Sequence, residues 1–264
     1  MMSETQTGIR LPMVHTSQNR TFRMLNMVRR CQRAVSRFAG EGDIRFIHVG
    51  KTGGSAVRHA LGEWSGLSKR RIIIHWHDLR FTDLPVGDQA IFFLRDPVRR
   101  FVSSFYSRQR QGRPKYDNPW NSDEALAFSR FHTANELARG LSAADAEVRE
   151  HAQDAMRGIQ HVNQPYGWWF RDEASLLSRV DDIFFIGFQE QLADDFNRLR
   201  SMLGIPAEAR LPDDEVLAHR APDGTDRSLD PEAERNLRDW YAADFRLYER
   251  CRDLVRAHSR LGGR

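Results

Sequence analysis

Apolar residues follow two rhythms along the chain, and the change between them near residue 43 divides the sequence. From residue 44 onward, short apolar runs alternate with stretches of helical periodicity. The runs IRFIHV (44–49), RIIIH (71–75), AIFFL (90–94) and DIFFIG (182–187) are rich in β-branched and aromatic residues and predict buried strands. Helices are predicted over 55–64, 96–110, 122–139, 142–158, 190–204 and 230–258, with 112–121 as a loop. Asp96 before Pro97 and Asp230 before Pro231 mark two helix starts, and Gly204 closes another helix. Strands alternating with helices predict an α/β fold: a three-layer sandwich whose central, mainly parallel sheet is flanked by helices, as a single domain over 43–264.

Residues 1–42 form a separate N-terminal segment. Its first 19 residues are polar and patternless, and mobility is the expectation there. Over 20–38, Met24, Met27, Val28, Cys31, Val35 and Phe38 recur at near-helical spacing, while Arg23, Arg29, Arg30, Arg33 and Arg37 fill the other face. Such a basic amphipathic helix either packs its stripe on its own domain or meets a membrane surface or acidic partner. A hydrophobic content of 40% with 10% aromatics places the chain among folded proteins. It has no apolar run of about 18 residues and no apolar secretory leader. Its two cysteines, Cys31 and Cys251, suggest neither a disulfide framework nor a zinc site, so a reducing cytoplasm is the expected setting. The charge balance, 40 Lys+Arg against 36 Asp+Glu, is spread along the chain, which argues against nucleic acid as partner. Most of the cations are arginines, which grip carboxylates, sulfates and phosphates in two-pronged fashion.

In an open α/β sheet, ligands gather where strand ends meet helix N-termini, so three turns carry the chemistry. The first is FIHVGKTGGSAV (46–57), in which a strand passes through Gly50, Lys51, Thr52, Gly53 and Gly54 into a helix beginning at Ser55. Backbone N–H groups up to Ala56, the helix dipole, the lysine charge and the hydroxyls of Thr52 and Ser55 converge, and an anion is expected there. The loop is P-loop-like, but Arg45 stands where the nucleotide-triphosphate fingerprint needs a glycine. A glycine-rich turn that binds nothing is the plainer alternative. The third turn, RDPVRRFVS (95–103), sets Arg95 at a strand end and Ser103 two turns into the next helix, where both reach one small dianion. Arg95 paired with Asp96 is the competing expectation.

Together these turns resemble the sulfotransferases that use 3′-phosphoadenosine 5′-phosphosulfate (PAPS). That family grips the 5′-phosphosulfate with a PKTGGTS-like loop, here GKTGGSA with Gly50 in place of the proline, and the 3′-phosphate with an R-D-P-x-x-R-x-x-S helix, here complete from Arg95 through Arg100 to Ser103. VDDIFFIGFQEQLADDFNRLRSMLG (180–204) and DWYAADFRLYERC (239–251) are also similar, so the resemblance spans most of 44–251. It implies PAPS as donor, with Lys51, Thr52, Gly53, Gly54, Ser55, Ala56, Arg95 and Ser103 as its binding residues and no metal.

The second turn, IIIHWHDLR (72–80), resembles the His-Gly-His of the uronyl 2-O-sulfotransferases, whose second histidine is the catalytic base. That resemblance implies His77 as base with His75 assisting, and a carbohydrate hydroxyl as acceptor, on a glycan or glycolipid. A structural histidine pair and a metal site are the alternatives. IQHVNQPYGWWF (159–170) offers His161, Asn163, Gln164 and Trp168 as acceptor contacts, against the simpler expectation of aromatic core packing. Two other functions stay open at this level: a P-loop-like nucleotide kinase, and a non-catalytic module that binds polyanions or nucleotides.

Overall fold

The computed structural model describes residues 41–114, 116–213 and 226–261, together with single positions between 24 and 34. Four strands, β1 (Ile44–Ile47), β2 (Ile72–Ile74), β3 (Gln89–Leu94) and β4 (Ile183–Phe188), form one parallel sheet in the order β2–β1–β3–β4. The helices are α1 (Gly54–Trp64), α2 (Pro97–Gln109), α3 (Ser122–Arg130), α4 (Ala134–Gly140), α5 (Ala146–Gly158), α6 (Gly167–Phe170), α7 (Glu173–Leu177), α8 (Leu192–Leu203), α9 (Pro231–Trp240) and α10 (Ala242–Leu261).

Period-two alternation sorts the strand side chains onto two faces. Ile44, Phe46, Ile91, Phe93 and Phe185 pack on one side against α1 and α8, through Val57, Leu61, Phe196, Leu199 and Leu203. Ile47, Phe92, Leu94, Ile186 and Phe188 pack on the other against Trp169 and Phe170 of α6, Leu176 of α7, and Leu247 and Tyr248 of α10. The expected α/β sandwich is the observed one. A third cluster joins α2, α3, α4, α5 and α9 into a helical layer of their own, so α2 leaves the sheet edge to pack largely on helices.

Strand order decides where a ligand can enter. From β1 the chain goes to β2 on one side, then to β3 on the other, so the turns leaving β1 and β3 part at the carboxyl edge and open a crevice.

Two helix expectations need correction. The helix expected over 122–139 is two helices, because Thr133 and Glu136 form a reciprocal capping box that starts α4 afresh. The helix expected over 230–258 breaks at Tyr241, whose hydroxyl donates to Val162 O at 3.0 Å. That break turns Asp244 inward, where it is buried. The N-terminal segment lies largely outside the described residues. Where it is described, Met24, Met27, Val28 and Cys31 are exposed, so at these positions the stripe is not packed on the domain; Arg29 Nη2 donates to Gly204 O at 2.9 Å. No helix among the described residues is long and apolar enough to cross a membrane.

Gly187 of β4 gives the sheet a direct test. A Cβ there would lie 2.2 Å from Cε1 of Phe93, which is buried in the neighbouring strand. Gly187→Ala is expected to cost about 1–3 kcal/mol from overpacking. Urea unfolding should show it as a lower midpoint at unchanged slope.

Candidate active site

The loop after β1 is shaped by backbone constraints. Lys51 has φ 66° and Gly53 φ 81°, both left-handed, and for the lysine that conformation costs about 1–2 kcal/mol. A Cβ at Gly53 would lie 2.8 Å from a Leu192 methyl, and one at Gly54 would lie 2.5 Å from His48 Cδ2. Gly53 is therefore required by conformation as well as contact, and Gly54 by contact with the buried His48 ring. Thr52 is fully buried and its Oγ1 donates to Val49 O at 2.9 Å, so this hydroxyl closes the loop rather than pointing to a ligand. The N–H groups of Ala56 and Val57 already donate to Gly53 O.

Facing this loop across a cleft of about 1090 Å³ stands α2. That volume lies at or above the ~300–1,000 Å³ typical of a small-ligand site and leaves room for two occupants. Lys51, Gly53, Gly54, Ser55 and Ala56 line one wall; Arg95, Arg99, Ser103 and Arg110 line the other, with His77 and His161 between. Asp96 does not pair with Arg95; its carboxylate caps α2 by accepting from Arg99 N at 2.9 Å. Instead the Arg95 backbone is gripped by Tyr166, whose hydroxyl accepts from Arg95 N at 2.9 Å and donates to Arg95 O. Arg95 Nε is buried with no hydrogen-bond partner, a donor left open on the cleft wall. Burial also lowers the Arg95 pKa from its ordinary value.

Lys51 is the electrostatic focus. Burial first, then the guanidinium groups of Arg110, Arg95, Arg100 and Arg108, lower its pKa from 10.5 to about 7. Arg108 and Arg100 have carboxylate partners in Glu124 and Asp244, and the positive field left around Lys51 suits an anion.

The histidines separate in a way that extended geometry does not foresee. β2 ends at Ile74, so 75–77 are not a strand and the two side chains diverge. His75 does not line the cleft; its Nε2 lies 3.1 Å from Arg45 Nη1 and its Nδ1 3.8 Å from Asp78. His77 does line it, with Nδ1 2.9 Å from His48 O. A carbonyl only accepts, so Nδ1 carries the proton and Nε2 keeps a lone pair. The His77 ring stacks on buried His48 at 4.3 Å, and burial lowers its pKa below the usual 6.5.

His161, at φ 68°, enters the cleft beside Gly50, where a Cβ would meet its Nδ1 at 3.4 Å. Burial, Lys51 and His77 hold its pKa near 3, so it is neutral. Asn163, Gln164 and Trp168 lie off the cleft wall: Gln164 Oε1 holds the His161 ring at 3.3 Å, and Trp168 is exposed under the Arg80 guanidinium. The other aromatics of this stretch, Tyr166, Trp169 and Phe170, are fully buried core. Sequence reading passed over His48, Arg110 and Trp76. For Arg110 the signal was present, since 99, 103, 106 and 110 recur at helical spacing along one face.

Sheet order, glycine loop and cation-lined crevice define an α/β protein with a positively charged cleft at the carboxyl edge of its sheet. Residues 44–249 match the family model described as the sulfotransferase family, and the chain belongs to that family. Its general chemistry is therefore sulfuryl transfer. No individual curated protein and no solved structure matches the chain.

Protonation of Lys51 should be linked to ligand binding. With an empty-cleft pKa near 7, an arriving phosphate or phosphosulfate raises it and draws in a proton. Affinity for an anionic ligand, such as 3′-phosphoadenosine 5′-phosphate (PAP), should therefore be highest below pH 7 and fall as pH rises above it. Calorimetry at pH 8 in buffers of differing ionisation enthalpy should show net proton uptake that vanishes in Lys51→Ala.

Proposed function

We propose that this protein transfers the sulfuryl group of PAPS to a hydroxyl of a carbohydrate-type acceptor, with His77 as general base and Lys51 as stabiliser of the leaving charge. The observation that carries this reading is the convergence of two anion-binding walls, Lys51 with the start of α1 and Arg95 with Ser103, on a cleft into which His77 presents an acceptor nitrogen. The donor fits the residues present. Lys51 and the N-terminus of α1 line one wall, and the unpartnered Nε of Arg95 on the other suits a phosphate oxygen. PAPS, when bound, supplies an activated S–O bond, broken by in-line displacement with little covalent work for the protein.

The chain's own residues then position and stabilise. Arg95 and Ser103 hold the non-reacting 3′-phosphate and set the register. His77 Nε2 takes the acceptor's hydroxyl proton as its oxygen attacks, and Nδ1–H stays fixed on His48 O, so the ring cannot present the wrong nitrogen. Lys51 meets the charge that grows on the departing 5′-phosphate. Cys31 and Cys251, both free thiols, support a reducing, cytoplasmic setting for this chemistry.

Each role has its own kinetic signature. Lys51→Ala should lower kcat by about 10²–10³-fold, with a smaller change in PAP affinity. Arg95→Ala should weaken PAP by roughly ten- to a hundredfold and spare kcat at saturation. His77→Ala should keep PAP affinity and lose about 10²–10⁴-fold in transfer. In the wild type, kcat/KM should rise with pH through a pKa below 6.5, the proton lost from His77, and that limb should vanish in His77→Ala. A thermal-shift panel of PAP, ATP with Mg²⁺, and an oligonucleotide decides the ligand, because only a ligand of the native state raises the melting point. Stabilisation by either of the last two without PAP would replace this reading with a kinase or a polyanion-binding module.

A further inference from the structure

Between the two histidines of the second turn stands a tryptophan. Trp76 lines the cleft next to His77, yet it is 57% exposed. Tryptophan is among the residues most buried on average, and leaving this much indole in water forgoes a large hydrophobic gain. Its orientation is nevertheless fixed. The Arg58 guanidinium carbon lies 3.9 Å from the ring centroid, covering one face of the indole. Arg58 projects from α1, the helix that follows the anion loop, so the platform is tied to the same element that holds the donor wall. Arg58 Nε is buried without a hydrogen-bond partner.

An aromatic ring stacked on one face and open on the other, beside the base, is a preorganised surface for a flat apolar patch of a ligand. What ligand it suits follows from the neighbouring walls. His161, Arg110, Asp117 and Asn118 also line this cleft, as do Tyr106, Tyr116, Val102 and Leu192, so it mixes aromatic and apolar surface with polar groups rather than forming a wholly apolar enclosure. A phenolic alcohol would need the enclosure. A sugar ring needs the mixture: its C–H face lies on the indole, and its hydroxyls meet the polar side chains.

We propose that Trp76, held by Arg58, is the stacking platform of the acceptor site and selects a sugar ring, placing one ring hydroxyl at His77 Nε2. This rests on the sulfotransferase reading above. Trp76 is a positioning residue: it takes no proton and touches no leaving group.

The test uses the full-length protein loaded with PAP and a panel of neutral and acidic oligosaccharides alongside 2-naphthol, with binding read by ligand-observed NMR. Glycan binding should weaken about tenfold in Trp76→Ala and be largely restored in Trp76→Phe, while PAP affinity and melting temperature stay at wild-type values. In turnover, the loss should fall on acceptor KM more than on kcat. Arg58→Ala should give a smaller loss of the same kind, since it frees the ring without removing it. Equal glycan affinity in wild type and Trp76→Ala would overturn the platform and leave the transferase reading standing. So would saturation by 2-naphthol with no glycan bound. Failure of the wild type to bind PAP at all would instead bring down the proposed function itself.

Discussion

One buried guanidinium holds the site together. Arg100, nearly inaccessible to solvent, donates from Nε to Gly50 O at 2.9 Å and from Nη2 to Gln164 O at 2.6 Å, and its Nη1 lies 3.8 Å from Asp244. It also sits over the rings of Tyr166 and Trp169. A single side chain on α2 thus ties together the anion loop, the 159–170 segment and α10. Both Asp244 oxygens accept from Tyr166 N, and the Tyr166 hydroxyl in turn grips the Arg95 backbone. Burial outweighs the attraction of Arg100 and lifts the Asp244 pKa to about 6. A buried pair of this kind adds little net stability, but removing one member strands the other at about 3–5 kcal/mol. Its value lies in geometry: both anion walls are registered to the same rigid centre.

The cleft that this centre supports is electrostatically unfinished. Lys51 is held in a left-handed conformation that costs energy whatever fills the cleft, and it sits among Arg110 and Arg95, the latter with an unpartnered Nε. Strain and cation crowding of this sort persist where the rest of the fold over-determines the position. Here the over-determination is visible in the Gly53–Leu192 and Gly54–His48 contacts and in the buried Thr52 hydroxyl on Val49 O. The same physics keeps His161 neutral next to Lys51.

Much of this was legible before any coordinates. The four strands, the parallel sandwich, and the two turns that line the cleft follow from short-range rules: apolar period, glycine conformations, and an Asp-Pro helix start. The misses have equally local or distinctly non-local causes. The split of the 122–139 helix was written in Thr133 and Glu136, a capping signal outweighed by continuous periodicity. The break at Tyr241 was not written locally, since it depends on a hydroxyl finding Val162 O across the fold. Likewise Thr52 read as a ligand donor until the loop's own curvature turned its hydroxyl inward.

By itself the sequence determined the four strands, most of the helices, the glycine-rich turn at 50–54 and the Asp-Pro helix start after Arg95, because each depends on neighbours within a few residues. Tertiary structure alone decided which histidine enters the cleft, that Tyr166 and Trp169 are core while Trp76 is exposed, and that Arg100 is the hub. Those outcomes depend on where β2 stops pairing and which groups packing brings together from residues 50, 100, 164 and 244, distances along the chain over which no local pattern carries information.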